Sequence, residues 1–165
     1  MRTRHKPEPP LTDRTSQDQL NREADEIIQV MTLTSAMRSR AQKGNSDEPS
    51  ELEFLALDIL KNRGTLSVGE IQREIGILPA QMSRLVRSLE AKGGGLVKCA
   101  INDKDRRKID VTLTKAGNQA HQHYVLLRRV TSLEFLKILN AEDRSAFMRV
   151  IRQFRTHVSN LLKNK

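Results

Sequence analysis

The stretch from Ser67 to Leu113 reads SVGEIQREIGILPAQMSRLVRSLEAKGGGLVKCAINDKDRRKIDVTL. It opens with Ser67 and Glu70 in Ser-x-x-Glu spacing, a capping box ahead of Val68, Ile71 and Ile75, and Gly76 ends a short helix over about 68–75. Pro79 has a fixed φ and no N–H, which suits the first position of a second helix that runs to about Lys92, before Gly93. A short helix, a turn containing glycine and a longer helix make a helix-turn-helix. The period then changes to two. Val97, Cys99 and Ile101 alternate with polar or small residues, and Ile109, Val111 and Leu113 alternate with Lys108, Asp110 and Thr112. Between these strands lie the polar residues 102–107, so the pair reads as a hairpin with a long basic tip. A helix-turn-helix followed by such a hairpin is a winged helix.

Working outward, Ser50 and Glu53 form another capping box, opening a helix over about 51–62 that ends at Gly64. Further upstream, a helical pattern begins at Ser16, in capping spacing with Gln19. It carries Leu20, Ala24, Ile27 and Met31 and stops near Gln42, before Lys43, Gly44 and Asn45. Residues 1–14 mix Pro7, Pro9 and Pro10 with charges and read as a disordered basic arm, too polar to offset its ordering entropy. Downstream, Thr114 caps a helix through His121, Tyr124 and Leu127 to about Leu139. Asn140 with Asp143 opens a last helix bearing Phe147, Val150, Ile151, Phe154, Val158, Leu161 and Leu162.

The expected fold is mainly α (α+β): a winged helix-turn-helix with flanking N- and C-terminal helices. Its parts are an arm at 1–14, a dimerisation helix at 15–45, a winged DNA-binding domain at 46–114 and dimerisation helices at 115–165. The terminal helices have apolar faces yet flank a small domain that is already complete, so a second copy in a two-fold homodimer is the economical cover.

Composition excludes several functions. The 165 residues hold 29 Lys plus Arg against 20 Asp plus Glu, a net charge of +9, and 37% are apolar, enough for a core. Four Phe, one Tyr and no Trp argue against aromatic stacking platforms for single strands. Apolar runs such as 54–57 fall far short of the roughly 20 residues of a membrane helix. The basic, proline-containing first ten residues do not resemble a secretory signal, so a cytoplasmic location is expected. Cys99 is the single cysteine, with no thiol to pair with and no second thiolate for zinc. The alternation places it beside Val97 and Ile101 as a small buried hydrophobe rather than a redox sensor. His121 and His123, two apart on a helix, diverge by about 200° and cannot clamp one ion. Gly93–Gly95 lacks the Lys-Ser/Thr that follows in a phosphate loop, and reads as a helix terminator with a flexible joint. No catalytic constellation, metal set or cofactor motif is expected, and the chain does not read as an enzyme.

The charge gathers on the winged helix. Residues 79–108 carry eight positives against three negatives, and a positive segment on an element shaped for a groove is an electrostatic footprint for DNA. Residues 144–165 are also basic, with six positives and no acid, so charge alone does not decide. Helical geometry says more. Met82, Leu85, Val86 and Leu89 fall in one stripe about 100° wide, the spacing of a buried face. The opposite side holds Ala80, Ser83, Arg84, Arg87, Ser88 and Ala91, whose small members let the backbone sit deep in a major groove. Arg84 and Arg87, with Ala80, Gln81 and Ser83, are the candidate base readers. At the hairpin tip Lys104, Asp105, Arg106 and Arg107 are the candidates for the minor groove and phosphates, an Arg being attracted to a narrow minor groove and a carboxylate able to hold it. The alternatives are a winged-helix protein-interaction module and a non-specific DNA binder; the scarcity of aromatic anchors argues against the former.

These residues resemble the MarR family of bacterial transcription regulators. LPAQMSRLVRSLE, from Leu78 to Glu90, is similar to the family's recognition helix, and DRRKIDVTLTKAG, from Asp105 to Gly117, to its wing signature, in which D-x-R leads into V-x-L-T-x-x-G. LNAEDRSAF resembles the start of the family's last helix. The resemblance covers about residues 16–162. It implies a two-fold dimer held by the terminal helices, each protomer offering a winged helix to half of a palindromic duplex, with Arg107 in the minor groove and Asp105 orienting it. It also implies a repressor, released in many members by a small-molecule effector or oxidation. Two departures stand out. KGGGLVKCA is two residues longer than the family's usual connection, with Cys99 where Arg is common, and Leu78 replaces the usual Ser-like residue at the helix N-cap.

Overall fold

The computed structural model describes residues 11–42 and 48–163. The chain divides into two units, Met1–Ser46 and Asp47–Lys165. The first contains α1 (Leu11–Gln42), whose exposed apolar residues include Leu20, Ile27, Ile28, Met31 and Leu33. This helix starts five residues before the expected Ser16, so residues 11–14, assigned to the arm, are helical. The helix begins directly after the Pro9–Pro10 pair in the sequence. Ser16 is therefore an interior residue rather than a cap. Gln19 donates to Glu23 (3.0 Å) and Gln17 to Asn21 (3.1 Å), side-chain pairs one turn apart. The rest of the expected arm, and the stop at Lys43–Asn45, lie outside the described residues.

The second unit begins with α2 (Glu51–Arg63), then β1 (Leu66–Ser67), α3 (Val68–Ile75), α4 (Pro79–Ala91), β2 (Val97–Ile101), β3 (Ile109–Leu113), α5 (Lys115–Ile138) and α6 (Ala141–Lys163). Both capping boxes form. Ser50 N–H donates to Glu53 Oε2 (2.6 Å) and Ser67 N–H to Glu70 Oε2 (2.8 Å), and each serine hydroxyl accepts from the glutamate's own N–H at 3.3 Å. Gly76 ends α3 in the left-handed region (φ 76°, ψ 33°), a conformation open to glycine at no steric cost. Asn140 Oδ1 accepts from Asp143 N–H at 2.8 Å, opening α6 as the spacing indicated.

The core lies among α2, α3, α4 and the sheet. Leu57, Leu60, Ile71, Met82, Leu89 and Val111 are fully buried there. The sheet has three antiparallel strands in the order β1-β3-β2, with Val111 opposite Leu66 on one side and Cys99 on the other. Two residues carry no readable period, which is why β1 does not announce itself in the sequence. The alternation in the hairpin holds only at its base. Val97 and Val111 are buried, whereas the paired Ile101 and Ile109 are exposed, because the hairpin extends past the helices that would cover them.

One junction fastens the hairpin to the helices on either side. Leu96 N–H donates to Leu89 O in α4 (2.8 Å), and Thr114 N–H donates to Leu96 O (3.1 Å). The Thr114 hydroxyl donates to Gly95 O (2.7 Å) and accepts from Gly117 N–H (3.0 Å), so a single side chain both closes the hairpin base and caps α5. A Cβ on Gly117 would lie 2.0 Å from Leu96 O and 2.8 Å from a Leu113 methyl. The glycine of T-x-x-G is thus demanded by backbone contact. Replacing Gly117 with Ala is expected to destabilise the fold by about 3 kcal/mol or more, the upper part of the range for overpacking against atoms that cannot yield. Urea denaturation followed by circular dichroism measures it.

Candidate nucleic-acid interface

The sequence of α4 divides it into two faces. Met82, Leu85, Val86 and Leu89 turn into the core and fix the helix's rotation, which leaves Ala80, Gln81, Ser83, Arg84 and Arg87 exposed. All five expected groove-facing positions therefore share one solvent-facing side. Their side chains rest largely on their own helix. Leu78 caps with no side-chain acceptor, and its N–H donates to Gln81 Oε1 at 3.1 Å, half of a capping box. Ser83 Oγ donates to Pro79 O (3.1 Å) and Arg87 Nε to Ser83 O (3.2 Å).

One residue expected on this face and one expected in its basic tract belong elsewhere. Ser88 is half-buried and donates to Glu53 Oε1 at 2.5 Å; Lys92, included in the basic tract, donates to Glu53 Oε2 at 2.6 Å and to Glu48 O at 3.1 Å. Glu53 itself is buried, 4% exposed. Burial opposes its ionisation, but the Lys92 ammonium, the Ser88 hydroxyl and the Ser50 backbone and hydroxyl outweigh that and hold its carboxyl below the ordinary 4.5. The N-terminus of α2 is thereby tied to the C-terminal end of α4 by a charge-assisted pair. The capping-box spacing accounts for Glu53 only as the partner of Ser50. The available signal was its place three and four residues before Ala56 and Leu57, on the stripe that faces the core.

Lys92 reaches Glu53 because the chain leaves the helix at once. Gly93, Gly94 and Gly95 all have positive φ (54°, 80° and 90°), the region L side chains rarely enter. The glycine run is therefore a shaped turn, its far end held by Thr114 and by the buried Leu96.

The tip spans residues 102–108. Asn102 Oδ1 accepts from the N–H groups of Lys104 (3.0 Å) and Asp105 (2.8 Å), its Nδ2 donates to Asp110 Oδ2 (2.8 Å), and Lys108 N–H donates to Asp105 O (2.8 Å). Asp105 in turn accepts from Arg107 N–H (3.2 Å) and Nε (3.4 Å), and Lys108 Nζ lies 3.8 Å away. The Arg107 side chain is 94% exposed. Arg107 and Asp105 are thus together, and Lys104 and Arg106 are exposed beside them. Asn102, which organises this turn, carries no signal in the sequence beyond its place in a polar loop.

Cys99 is partly buried, and burial with the nearby Glu90 carboxyl pushes its thiol up to about 11, which suppresses the reactive thiolate. His121 turns inward, 2.9 Å from Asp58 and stacked on Phe54, while His123 is exposed with Glu48 3.9 Å away, so the two do not converge. Among the described residues no helix is long and apolar enough to cross a membrane.

Residues 50–109, from the cap of α2 to the start of β3, match the model of the MarR family. The chain is 32% identical over 95 residues to the HTH-type transcriptional repressor MdtR of Bacillus subtilis, a match covering 58% of the chain and 59% of MdtR. Its fold is that of a MarR family protein from Bacillus stearothermophilus, at TM-score 0.72 and 18% identity, covering 86% of this chain and 97% of that one. It is likewise similar to Streptococcus pneumoniae FabT, whose structure is in complex with DNA, at TM-score 0.70 and 13% identity, covering 86% and 99%.

The Glu53 strap has a testable pH signature. A carboxyl held below its ordinary value contributes stability that is present above pH 4.5 and is lost as pH falls through the folded-state value. Glu53→Gln preserves the α2 capping geometry but removes the charge, so it is expected to lower stability by about 2 kcal/mol at pH 7. The gap between wild type and variant narrows below pH 4.5. Urea midpoints of both proteins from pH 7 to 3 measure it.

Proposed function

We propose that this protein is a transcriptional regulator that binds double-stranded DNA sequence-specifically as a homodimer, with α4 in the major groove and the β2–β3 tip at the adjacent minor groove. The observation that carries the reading is the exposed side of α4, bearing Ala80, Gln81, Ser83, Arg84 and Arg87 on the second helix of a helix-turn-helix while the opposite stripe is locked in the core. A wing whose outermost cation, Arg107, is held from behind by Asp105 supports it. The DNA complex of FabT and the repressor role of MdtR favour the same assignment, with repression the expected outcome of binding.

Dimerisation is supported by the apolar residues that α1, α5 and α6 leave exposed, among them Ile28, Met31, Leu126, Val130, Phe154 and Leu161. A two-fold protein presents two recognition helices, so the operator is a palindrome with half-sites about one helical turn apart. A small-molecule effector that releases the DNA is the further expectation from the family resemblance. Selection of duplexes from a randomised pool at about 150 mM salt tests the whole reading. A palindrome supports it, binding without an enriched sequence makes the protein a non-specific binder, and no binding favours a protein partner. On the selected duplex, Arg107→Ala is expected to weaken binding about tenfold and to reduce the salt slope by about one. Fluorescence anisotropy across a salt series reads both.

A further inference from the structure

The hairpin of β2 and β3 has two unlike faces. Val97, Cys99, Val111 and Leu113 belong to the face that packs on the core, and alternation puts Ile101 and Ile109 on that same side, one step nearer the tip. They stand opposite each other across the ladder, 68% and 49% exposed, because the hairpin has by then passed beyond the helices. The other side of this end is polar, with Asn102 donating to Asp110 at 2.8 Å. Asn102 N–H also donates to Lys108 O at 3.0 Å, so the end of the hairpin is closed by hydrogen bonds that do not involve the isoleucine side chains. The turn that joins the two isoleucines carries exposed Lys104, Arg106, Arg107 and Lys108, which outnumber Asp103 and Asp105.

An apolar patch joined to such a basic turn suits a partner that is anionic and has hydrocarbon edges of its own. With α4 in the major groove and the tip at the adjacent minor groove, the sugar–phosphate backbone of one strand separates the two grooves and passes between the two elements. The part of the hairpin it meets is the helix-facing side beyond the core, where Ile101 and Ile109 lie. Phosphates suit the cations of the tip, whereas the C–H edges of deoxyribose suit an aliphatic side chain. We propose that Ile101 and Ile109 contact DNA, packing on deoxyriboses of the strand that separates the two grooves and seating the wing there without reading sequence. Being β-branched, both have few rotamers to lose on contact. The inference rests on the groove assignment of α4 and the wing tip. It differs from the role of Arg107 in releasing no counterion, and from that of the α4 residues in carrying no sequence information.

The test uses the full chain and the duplex selected with it. Ile101→Thr with Ile109→Thr keeps β-branching and strand preference but removes apolar surface, and Ile101→Val with Ile109→Val keeps most of that surface. In fluorescence anisotropy across a salt series, the Thr pair is expected to bind about tenfold more weakly with an unchanged salt slope, and the Val pair within about threefold of wild type. Selection with the Thr pair enriches the same sequence. Hydroxyl radicals attack deoxyribose hydrogens directly, so at saturating protein the wild type protects sugars at the groove boundary of each half-site and the Thr pair leaves them open. Wild-type affinity and sugar protection in the Thr pair would overturn the proposal, leaving the isoleucines as a cross-strand pair that supports the hairpin alone. A salt slope that falls with affinity would also overturn it, since the cations of the tip would then have moved. Dissociation of the oligomer by the Thr pair, read by sedimentation velocity, would assign the patch to a second copy instead. Should wild type select no duplex, the DNA reading itself fails and this contact falls with it. Thermal melts check the fold, and if the Thr pair melts early, each single Thr variant carries the test at an expected loss of about threefold.

Discussion

The approach of α5 to the backbone at Leu96 is the constraint on which the rest of the unit depends. Thr114 and Gly117 bring the first turn of α5 so close to Leu96 that a methyl group would collide with a carbonyl oxygen. Leu96 is bonded in turn to the last turn of α4, so the wing, the helix bearing the candidate base readers and the start of α5 meet at one point. Hydrogen bonds here are made between backbone groups that would otherwise be buried without partners, and leaving them unmade carries the larger penalty. That gives the junction direction as well as strength. Any shift of α5 along its axis must break the Thr114 bonds or drag the hairpin with it.

The second tie, Glu53 to Lys92 and Ser88, works at the other side of α4. Its geometry resists rotation of the helix because Ser88 and Lys92 lie one turn apart and both address one carboxylate. With the apolar stripe of Met82, Leu85, Val86 and Leu89, α4 is held from below and from its C-terminal end. Its exposed residues are consequently carried on a rigid element rather than a loop. The wing follows the same logic on a smaller scale, since Asn102 ties down the turn and Asp105 then ties down Arg107.

α5 also meets α2 through a polar and aromatic seam. His121 contacts Asp58, Phe54 stacks on both His121 and Tyr124, and Arg128 lies over the Phe54 and Tyr124 rings while pairing with Glu51. Such a seam is more sensitive to a small displacement than an aliphatic one, because ring stacking and ion pairs are directional. The helix that leaves the winged domain is thus coupled to α2, and α2 to α4 through Glu53.

The sequence by itself determined the order and type of nearly every element in this protein. Capping boxes, terminating glycines and a switch of period from 3.6 to 2 are local signals, readable wherever the deciding residues are neighbours in the chain. The same locality placed Ala80, Gln81, Ser83, Arg84 and Arg87 on one face and Arg107 beside Asp105. Tertiary structure decided what depends on distant partners. Leu66 and Ser67 become a strand only because β3 lies alongside, and Ile101 and Ile109 stay exposed because no helix reaches them. Ser88 leaves the outer face, and Lys92 the basic tract, because a carboxylate 35 and 39 residues earlier claims them. Helical phase says which way a side chain points, but only the packed fold says whether water or another residue is waiting there.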